Sequence, residues 1–234
     1  MRQPGACLVD VYETILTCDF GRHARELPAL AGVPQRAWNA ELLARSPALT
    51  VGQLSSAAAY TEILQLLGAN SRPGLVAELI RTDQELLLAS ARLFDDTIWF
   101  LETLRRQGIK IAIVSNCRDN TRELLTRRGV ADLADVLVLS CEAGYAKPAP
   151  QIYQQALDQV GVAADAAVFI DDQARCCAGA AALGITAMQI TRPDGCPPEP
   201  APEPADPGPP ANLAMVASLR EAAALIIPPA APAR

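Results

Sequence analysis

Short apolar segments that each end at a polar residue place the strongest constraint on how this chain can fold. Continuous apolar runs of this length, rich in β-branched residues, are typical of strands buried on both faces of a sheet. Helical apolar spacing separates the later runs, and three of these helical segments end at a glycine. The alternation predicts an α/β fold, a parallel sheet with right-handed crossovers. The runs occupy residues 6–9, 109–114, 136–139 and 168–170.

A long stretch after the first run interrupts this alternation. Residues 17–92 contain no convincing strand, and four segments within them have helical apolar spacing. We therefore expect a helical insertion at 17–92 and an α/β core built from residues 1–16 and 93–234. Residues 192–210 hold nine of the chain's nineteen prolines, which predicts a solvated loop within the core that carries no chemistry.

The composition narrows the possible partners and chemistries. The 234 residues include 26 acidic and 20 basic side chains, giving a net charge of −6, which argues against nucleic acid or an anionic membrane as the main partner. One histidine, His23, argues against a histidine-rich zinc site, and we expect it on a solvated helix face. Seven cysteines without paired spacing predict free thiols in a reducing compartment, so a cytoplasmic protein without a membrane span is expected.

Polar side chains follow the predicted strands at the edge where ligands bind in open parallel sheets. Asp10 follows the first strand, Ser115 and Asn116 follow the second, Lys147 comes after the third, and Asp171 and Asp172 follow the fourth. Three carboxylates at one point repel each other unless a cation neutralises them, and hard oxygen ligands suit Mg²⁺.

Together these groups have the chemistry that phosphoryl transfer requires. Lys147 and a cation would balance the charge of a phosphate dianion, and Ser115 would donate hydrogen bonds to its oxygens. Asp10 could then attack phosphorus to form an aspartyl-phosphate that water hydrolyses. The predicted partner is a small phosphorylated molecule.

At these residues the sequence resembles the haloacid dehalogenase-like superfamily. The resemblance rests on Asp10-Val11-Tyr12-Glu13-Thr14, Ile113-Val114-Ser115-Asn116, Ala146-Lys147-Pro148 and Phe169-Ile170-Asp171-Asp172-Gln173, and it covers essentially the whole chain. These segments look most like the subgroup with bacterial sugar-phosphate phosphatases and the phosphatase domain of epoxide hydrolase. The resemblance implies a Rossmann-like parallel sheet with helices on both faces and an inserted helical cap at residues 17–92.

The resemblance also assigns roles to residues. It implies a Mg²⁺ ion held by Asp10, the backbone carbonyl of Tyr12 and Asp172, with Asp171 close by or acting through water. The implied catalytic residues are Asp10, Tyr12, Ser115 and Lys147, and the implied phosphate-binding residues are Thr14, Ser115, Asn116 and Lys147. Many members of the family form homodimers, so the resemblance implies that a homodimer is one possible oligomeric state.

Two positions depart from the family pattern and leave three functions open. Tyr12 stands where phosphatases of the family have a second Asp that protonates the leaving group, and Glu13 stands where Gly is usual. A tyrosine at this position resembles the 2-haloacid dehalogenase branch of the family, in which Asp10 would attack carbon. That branch, however, lacks the acidic pair that this chain retains as Asp171-Asp172. The third alternative is a catalytically weak binding protein. For a phosphatase, a weak acid at position 12 favours substrates whose leaving oxygen is already stable as an anion.

Overall fold

A six-stranded parallel sheet forms the centre of the structure, a computed structural model that describes residues 3–69, 72–193, 195 and 213–227. The described strands are β1 Ala6–Val9, β2 Leu16–Thr17, β3 Arg92–Leu93, β4 Lys110–Ser115, β5 Val136–Leu139, β6 Ala167–Asp171, β7 Thr186–Ile190 and β8 Ala214–Val216. The large sheet has the order β5-β4-β1-β6-β7-β8, and each neighbouring pair is parallel. The predicted α/β fold class is confirmed.

Helices cover both faces of this sheet. The α-helices of the described residues are α1 Phe20–Ala31, α2 Gln35–Thr50, α3 Ser56–Leu66, α4 Leu75–Ser90, α5 Thr97–Arg106, α6 Thr121–Arg127, α7 Ser140–Ala143, α8 Pro150–Val160, α9 Ala174–Ala182 and α10 Leu219–Ile226. The side chains of α5, α6 and α10 pack on one face, and those of α8 and α9 pack on the other. Because both faces are buried, strands β1 and β6 contain only buried residues, as continuous apolar runs predict.

The register of the sheet brings the predicted site residues to one edge. Val9 of β1 is level with Ile113 of β4 on one side and with Ile170 of β6 on the other. Asp10 therefore leaves the sheet next to the residues that end both neighbouring strands. Because β1 lies between β4 and β6, Asp10 is flanked by the ends of these strands on two sides.

Helices α1–α4 lie between β2 and β3 in the chain and have an apolar cluster of their own, which includes Leu27, Trp38, Tyr60 and Leu79. The expectation of no strand in this stretch was wrong at its two ends, because Leu16 and Thr17 pair antiparallel with Leu93 and Arg92. Two residues are too few to give a periodic pattern in sequence. The assignment of residues 17–92 as a cap stays a prediction.

Apolar spacing does not account for every helix of the structure. Helix α2 runs to Thr50 although Pro47 lies inside it. Proline removes one backbone hydrogen bond, and burial of Leu49 stabilises the turn that follows. The short helix α7 was not expected, since four residues have no readable apolar spacing. No helix in the described part of the chain is long and apolar enough to cross a membrane. The predicted loop at 192–210 falls almost entirely outside the described residues.

Candidate active site

An ammonium group between two carboxylates forms the centre of the site. Lys147 Nζ donates to Asp10 Oδ1 and to Asp171 Oδ2, each at 2.6 Å. All three side chains are buried, with exposed fractions of 2% for Lys147, 7% for Asp10 and 1% for Asp171. Charges removed from water to this degree persist only when they are paired and hydrogen-bonded.

The backbone around Lys147 is held from two directions. The Asn116 side chain donates to the Lys147 carbonyl at 2.8 Å and accepts from the Lys147 amide at 2.7 Å. On the other side, Gly179 of α9 lies against Pro148, and a Cβ atom at that glycine would stand 2.7 Å from the Pro148 carbonyl oxygen. A side chain there would therefore displace the segment that carries the lysine.

A third carboxylate, that of Asp172, lies beside Lys147, Asp10 and Asp171 and completes a potential cation site. One oxygen each from Asp10, Asp171 and Asp172 lie within 4.8 Å of one another. Asp171 is already engaged, because its Oδ1 accepts from the Gln173 amide at 2.7 Å and its Oδ2 accepts from Lys147. Asp172 Oδ1 is buried and has no hydrogen-bond partner among the described residues. The all-oxygen donor set and this open oxygen fit a Mg²⁺ ion.

This arrangement strongly shifts the pKa values of the acidic groups. Burial, opposed by the attraction of Lys147 and reinforced by the repulsion of Asp171, raises the pKa of Asp10 to about 6. Burial, with Asp10 and Asp171 nearby, raises the pKa of Asp172 to about 8. Burial lowers the pKa of Lys147, but Asp10 and Asp171 together hold it well above its usual value. One ammonium therefore leaves the three carboxylates short of positive charge.

Residues 10–16, called the β1 turn below, carry the remaining residues of the first motif. The Thr14 hydroxyl donates to Asp10 Oδ2 at 3.4 Å, which is a long hydrogen bond. Glu13 has a φ of 55°, in the left-handed region that favours glycine. Its Oε1 accepts from the Thr17 hydroxyl at 2.7 Å, so a side-chain hydrogen bond accompanies this conformation. The left-handed φ explains why glycine is usual at this position.

Tyr12 directs its hydroxyl group toward α6. The Tyr12 hydroxyl and Thr121 Oγ1 are 2.9 Å apart, and the ring packs on Phe20 with centroids 5.5 Å apart. Burial raises the pKa of Tyr12 above its ordinary value. A phenol with a raised pKa, already bonded to a threonine, is poorly suited to deliver a proton at neutral pH.

Ser115 and Asn116 have different environments although they are adjacent. Ser115 is fully buried at the end of β4, and its hydroxyl has no partner among the residues that the structure describes. Both polar atoms of the Asn116 side chain, by contrast, bind the Lys147 backbone. Asn116 thus supports the lysine, and its predicted contact with phosphate stays a prediction, as do the other predicted roles.

Two polar groups were not found by sequence reasoning. The expectation that His23 lies on a solvated face was wrong, because its side chain is 12% exposed and Nε2 lies 3.6 Å from the buried Asp83 Oδ1. Asn120 also donates to Asp83, at 3.0 Å. Arg192, placed in the Pro-rich segment, forms a buried ion pair with Asp96. An unpaired Asp in an amphipathic helix was the available signal for Asp83, whereas no sequence signal marked Arg192.

Comparison with known proteins identifies the family of this chain. A family model described as haloacid dehalogenase-like hydrolase matches residues 4–184. The chain is 31% identical over 207 residues to (S)-2-haloacid dehalogenase 4A of Burkholderia cepacia, covering 83% of this chain and 85% of that protein. It is 34% identical over 128 residues to phosphatase MT3486 of Mycobacterium tuberculosis, which covers 54% of this chain and only 56% of that relative's length.

The fold also matches a solved structure. A HAD family enzyme from Bacteroides thetaiotaomicron, crystallised with magnesium and inorganic phosphate, superposes with a TM-score of 0.64 at 18% identity, covering 86% of this chain and 97% of that one. This likeness supports the fold, and the family match together with the Burkholderia relative covers most of the sequence. The chain belongs to the haloacid dehalogenase-like hydrolase family.

Proposed function

We propose that this protein is a Mg²⁺-dependent phosphatase that hydrolyses a small-metabolite phosphate ester through an aspartyl-phosphate on Asp10. The observation that carries the proposal is the cluster of Asp10, Asp171 and Asp172, in which Asp172 has an open buried oxygen. A dehalogenation at carbon releases a halide and needs no cation beside the nucleophile. A phosphate dianion, by contrast, cannot approach three carboxylates unless further positive charge is present.

Asp10, Asp172 and the Tyr12 carbonyl would hold the ion, with Asp171 beside them. When bound, Mg²⁺ would neutralise these carboxylates and offset the negative charge of the phosphoryl group. The fit rests on the oxygen donor set and on the unpartnered Asp172 Oδ1. The magnesium found in the Bacteroides relative is consistent with this assignment.

In the proposed reaction the Asp10 carboxylate attacks phosphorus, and the bond between phosphorus and the leaving oxygen breaks. Lys147 is 2.6 Å from Asp10 and keeps that carboxylate ionised and oriented. The Ser115 hydroxyl and the Thr14 side chain would donate to phosphoryl oxygens. Water then attacks the aspartyl-phosphate, which releases inorganic phosphate and regenerates the Asp10 carboxylate.

The environment of Tyr12 supports a particular substrate class. Its hydroxyl is bonded to Thr121 and its pKa is raised, so a leaving oxygen gains little from it as a proton donor. Esters whose leaving oxygen is stable as an anion need this proton least. Anomeric sugar phosphates, acyl phosphates and nucleoside diphosphates belong to this class, and we expect them to be hydrolysed faster than simple alkyl phosphates.

A 2-haloacid dehalogenase is the second candidate. It is favoured by the tyrosine at position 12 and by the 31% identity to the Burkholderia dehalogenase over most of both chains. In this reaction Asp10 would attack carbon and displace a halide, which leaves without a proton. The acidic pair Asp171-Asp172 has no evident role in such a reaction.

One assay set separates these candidates. Phosphate release from p-nitrophenyl phosphate, glucose 1-phosphate and glucose 6-phosphate is measured with Mg²⁺ and with a chelator, alongside halide release from (S)-2-chloropropionate. The enzymes are wild type, Asp10→Asn and, as a matched control, the exposed Asp165→Asn. We expect Mg²⁺-dependent phosphate release that falls by about 10³-fold or more in Asp10→Asn and is unchanged in the control.

Other outcomes contradict the proposal. Halide release that persists with the chelator and requires Asp10 would establish the dehalogenase. Neither product from any substrate would favour the binding protein. Equal rates on the 1-phosphate and the 6-phosphate of glucose would remove the inference about activated leaving groups while leaving the phosphatase intact.

A further inference from the structure

A buried arginine links the β1 turn to the rest of the core. The Arg192 guanidinium pairs with both carboxylate oxygens of Asp96, at 2.9 and 3.0 Å. Two more of its N–H groups donate to the Thr14 carbonyl, at 2.9 and 2.6 Å. Its plane also lies over the ring of Phe94, 4.2 Å from the centroid. Only 5% of the side chain is exposed, so these contacts are sheltered from water.

The Thr14 carbonyl belongs to the residue whose hydroxyl reaches the nucleophile. Thr14 Oγ1 donates to Asp10 Oδ2, and four amides within the β1 turn are bonded to carbonyls of the same turn. The neighbouring Ile15 carbonyl accepts from the Thr97 hydroxyl at 2.6 Å. Arg192 and Thr97 therefore hold two consecutive carbonyls of the turn from outside.

Asp96 connects this anchor to a third part of the core. Its Oδ2 also accepts from the Leu219 amide at 2.8 Å, at the start of α10. The pair thus joins the end of β7, the start of α5 and the start of α10 to the β1 turn. In addition, Thr14 precedes β2 and Phe94 follows β3, so the arginine contacts the core side of both strands that lead to helices α1–α4.

We propose that Arg192 is a positioning residue for the phosphatase reaction, which acts through the Thr14 backbone to hold the Asp10 carboxylate and the Thr14 hydroxyl in their reactive arrangement. The expected effect of Arg192 on the phosphatase rate rests on the proposed function. The anchoring of the turn itself can be measured without turnover. Lysine carries its N–H donors on a single nitrogen and has no planar fork, so it cannot serve both the Thr14 carbonyl and the two Asp96 oxygens together.

The kinetic test uses Arg192→Met, Arg192→Lys and the control Arg220→Met with p-nitrophenyl phosphate and Mg²⁺. Arg220 is an exposed residue of α10 whose guanidinium lies 4.4 Å from the Trp99 ring centroid, and none of its contacts within the described residues reaches the β1 turn. We expect Arg192→Met to lower kcat by about 10- to 100-fold with little change in KM, because a small displacement of the nucleophile slows the chemical step. Arg192→Lys should be only partly active, and Arg220→Met should match wild type.

A double substitution distinguishes positioning from general loss of stability. Thr14→Val keeps the carbonyl that Arg192 binds and removes only the hydroxyl. Since the proposal has Arg192 position that hydroxyl as well as Asp10, Arg192→Met should reduce kcat less in a Thr14→Val background than in the wild type. An equal reduction in both backgrounds, or a fall in Tm with unchanged kcat, would overturn the proposal.

Hydrogen exchange tests the anchor independently of activity. We expect the amides of residues 13–16 to exchange faster in Arg192→Met than in wild type or Arg220→Met. Unchanged exchange would overturn the proposal even if the kinetics changed. If wild type lacks phosphatase activity, the proposed function fails, and faster exchange limited to Arg192→Met would still support the anchoring role.

Discussion

The candidate active-site cluster and the Arg192–Asp96 pair are two buried groups of charges that differ in how completely they are paired. At the strand ends, one ammonium faces three carboxylates, and an Asp172 oxygen lacks a partner among the described residues. Beside the β1 turn, one guanidinium meets one carboxylate, and the Asp96 oxygens also receive the Leu219 amide.

The degree of pairing indicates what each group of buried charges does in the protein. A balanced and fully hydrogen-bonded pair supports its surroundings, and its removal leaves a charge without compensation. An unbalanced cluster is costly for folding alone, and it persists where further positive charge arrives from outside, as a metal ion does. Mg²⁺ should therefore stabilise the unbalanced cluster and leave the stability of the balanced pair unchanged.

The largest effect is expected from Lys147→Met. This substitution leaves buried carboxylates without their cation, so we expect a loss of about 3–5 kcal/mol in the free energy of unfolding with chelator present. Phosphatase activity should fall by at least about 100-fold. Urea denaturation and phosphate release measure the two effects. Added Mg²⁺ should restore part of the lost stability, and the absence of any recovery would contradict the idea that a cation completes this cluster.

Asp172→Asn should have the opposite effect on the metal-free protein. It removes one of three repelling carboxylates, so we expect the chelated variant to be more stable than chelated wild type by about 1 kcal/mol. The rise in Tm that Mg²⁺ produces in wild type should disappear. Thermal unfolding with and without Mg²⁺ gives both quantities, and an unchanged Mg²⁺ response would remove Asp172 from the ion site.

The pH dependence of the metal-free protein gives a further test. The pKa of Asp172 is raised to about 8 in the folded state, so the folded protein binds a proton more readily than the unfolded chain does. Stability in chelator should therefore fall as pH rises from the ordinary Asp pKa toward about 8. Asp10, raised to about 6, contributes in the same direction over the lower part of this range. In Asp172→Asn the dependence above about pH 6 should flatten, and a stability that increases over that range would contradict the predicted imbalance.

The smallest effect is expected from Lys110→Met, the counterpart of Lys147→Met at the surface. Lys110 Nζ is 2.9 Å from Asp135 Oδ1, but their side chains are 55% and 34% exposed. Exposed pairs of this kind contribute about 0–1 kcal/mol. Urea denaturation should show a change in that range, and the difference from wild type should be the same with and without Mg²⁺. A loss as large as that of Lys147→Met would mean that burial does not explain the difference between the two lysines.

Most of the site could be predicted from the sequence, because strand ends are readable. Asp10, Ser115, Asp171 and Asp172 each follow an apolar run, and the parallel sheet brings the ends of such runs to one edge. Lys147 is more distant from its strand and depends on Asn116 and on the close approach of Gly179 to reach the site. We expected Lys147 to lie near the carboxylates, but the contacts that hold its backbone in place could not be predicted.

The α/β fold class, the run of helices after the first strand and the group of residues at the carboxyl ends of the strands could all be predicted before the fold was known. Local apolar periodicity encodes these features, since it depends only on neighbours in the chain. Tertiary structure alone decided which charges are paired. Arg192 and Thr14 are 178 positions apart, Arg192 and Asp96 are 96 apart, and the direction of the Tyr12 hydroxyl depends on Thr121, 109 residues away. Contacts across such separations leave no periodic signal, because they arise only when the sheet places distant segments side by side.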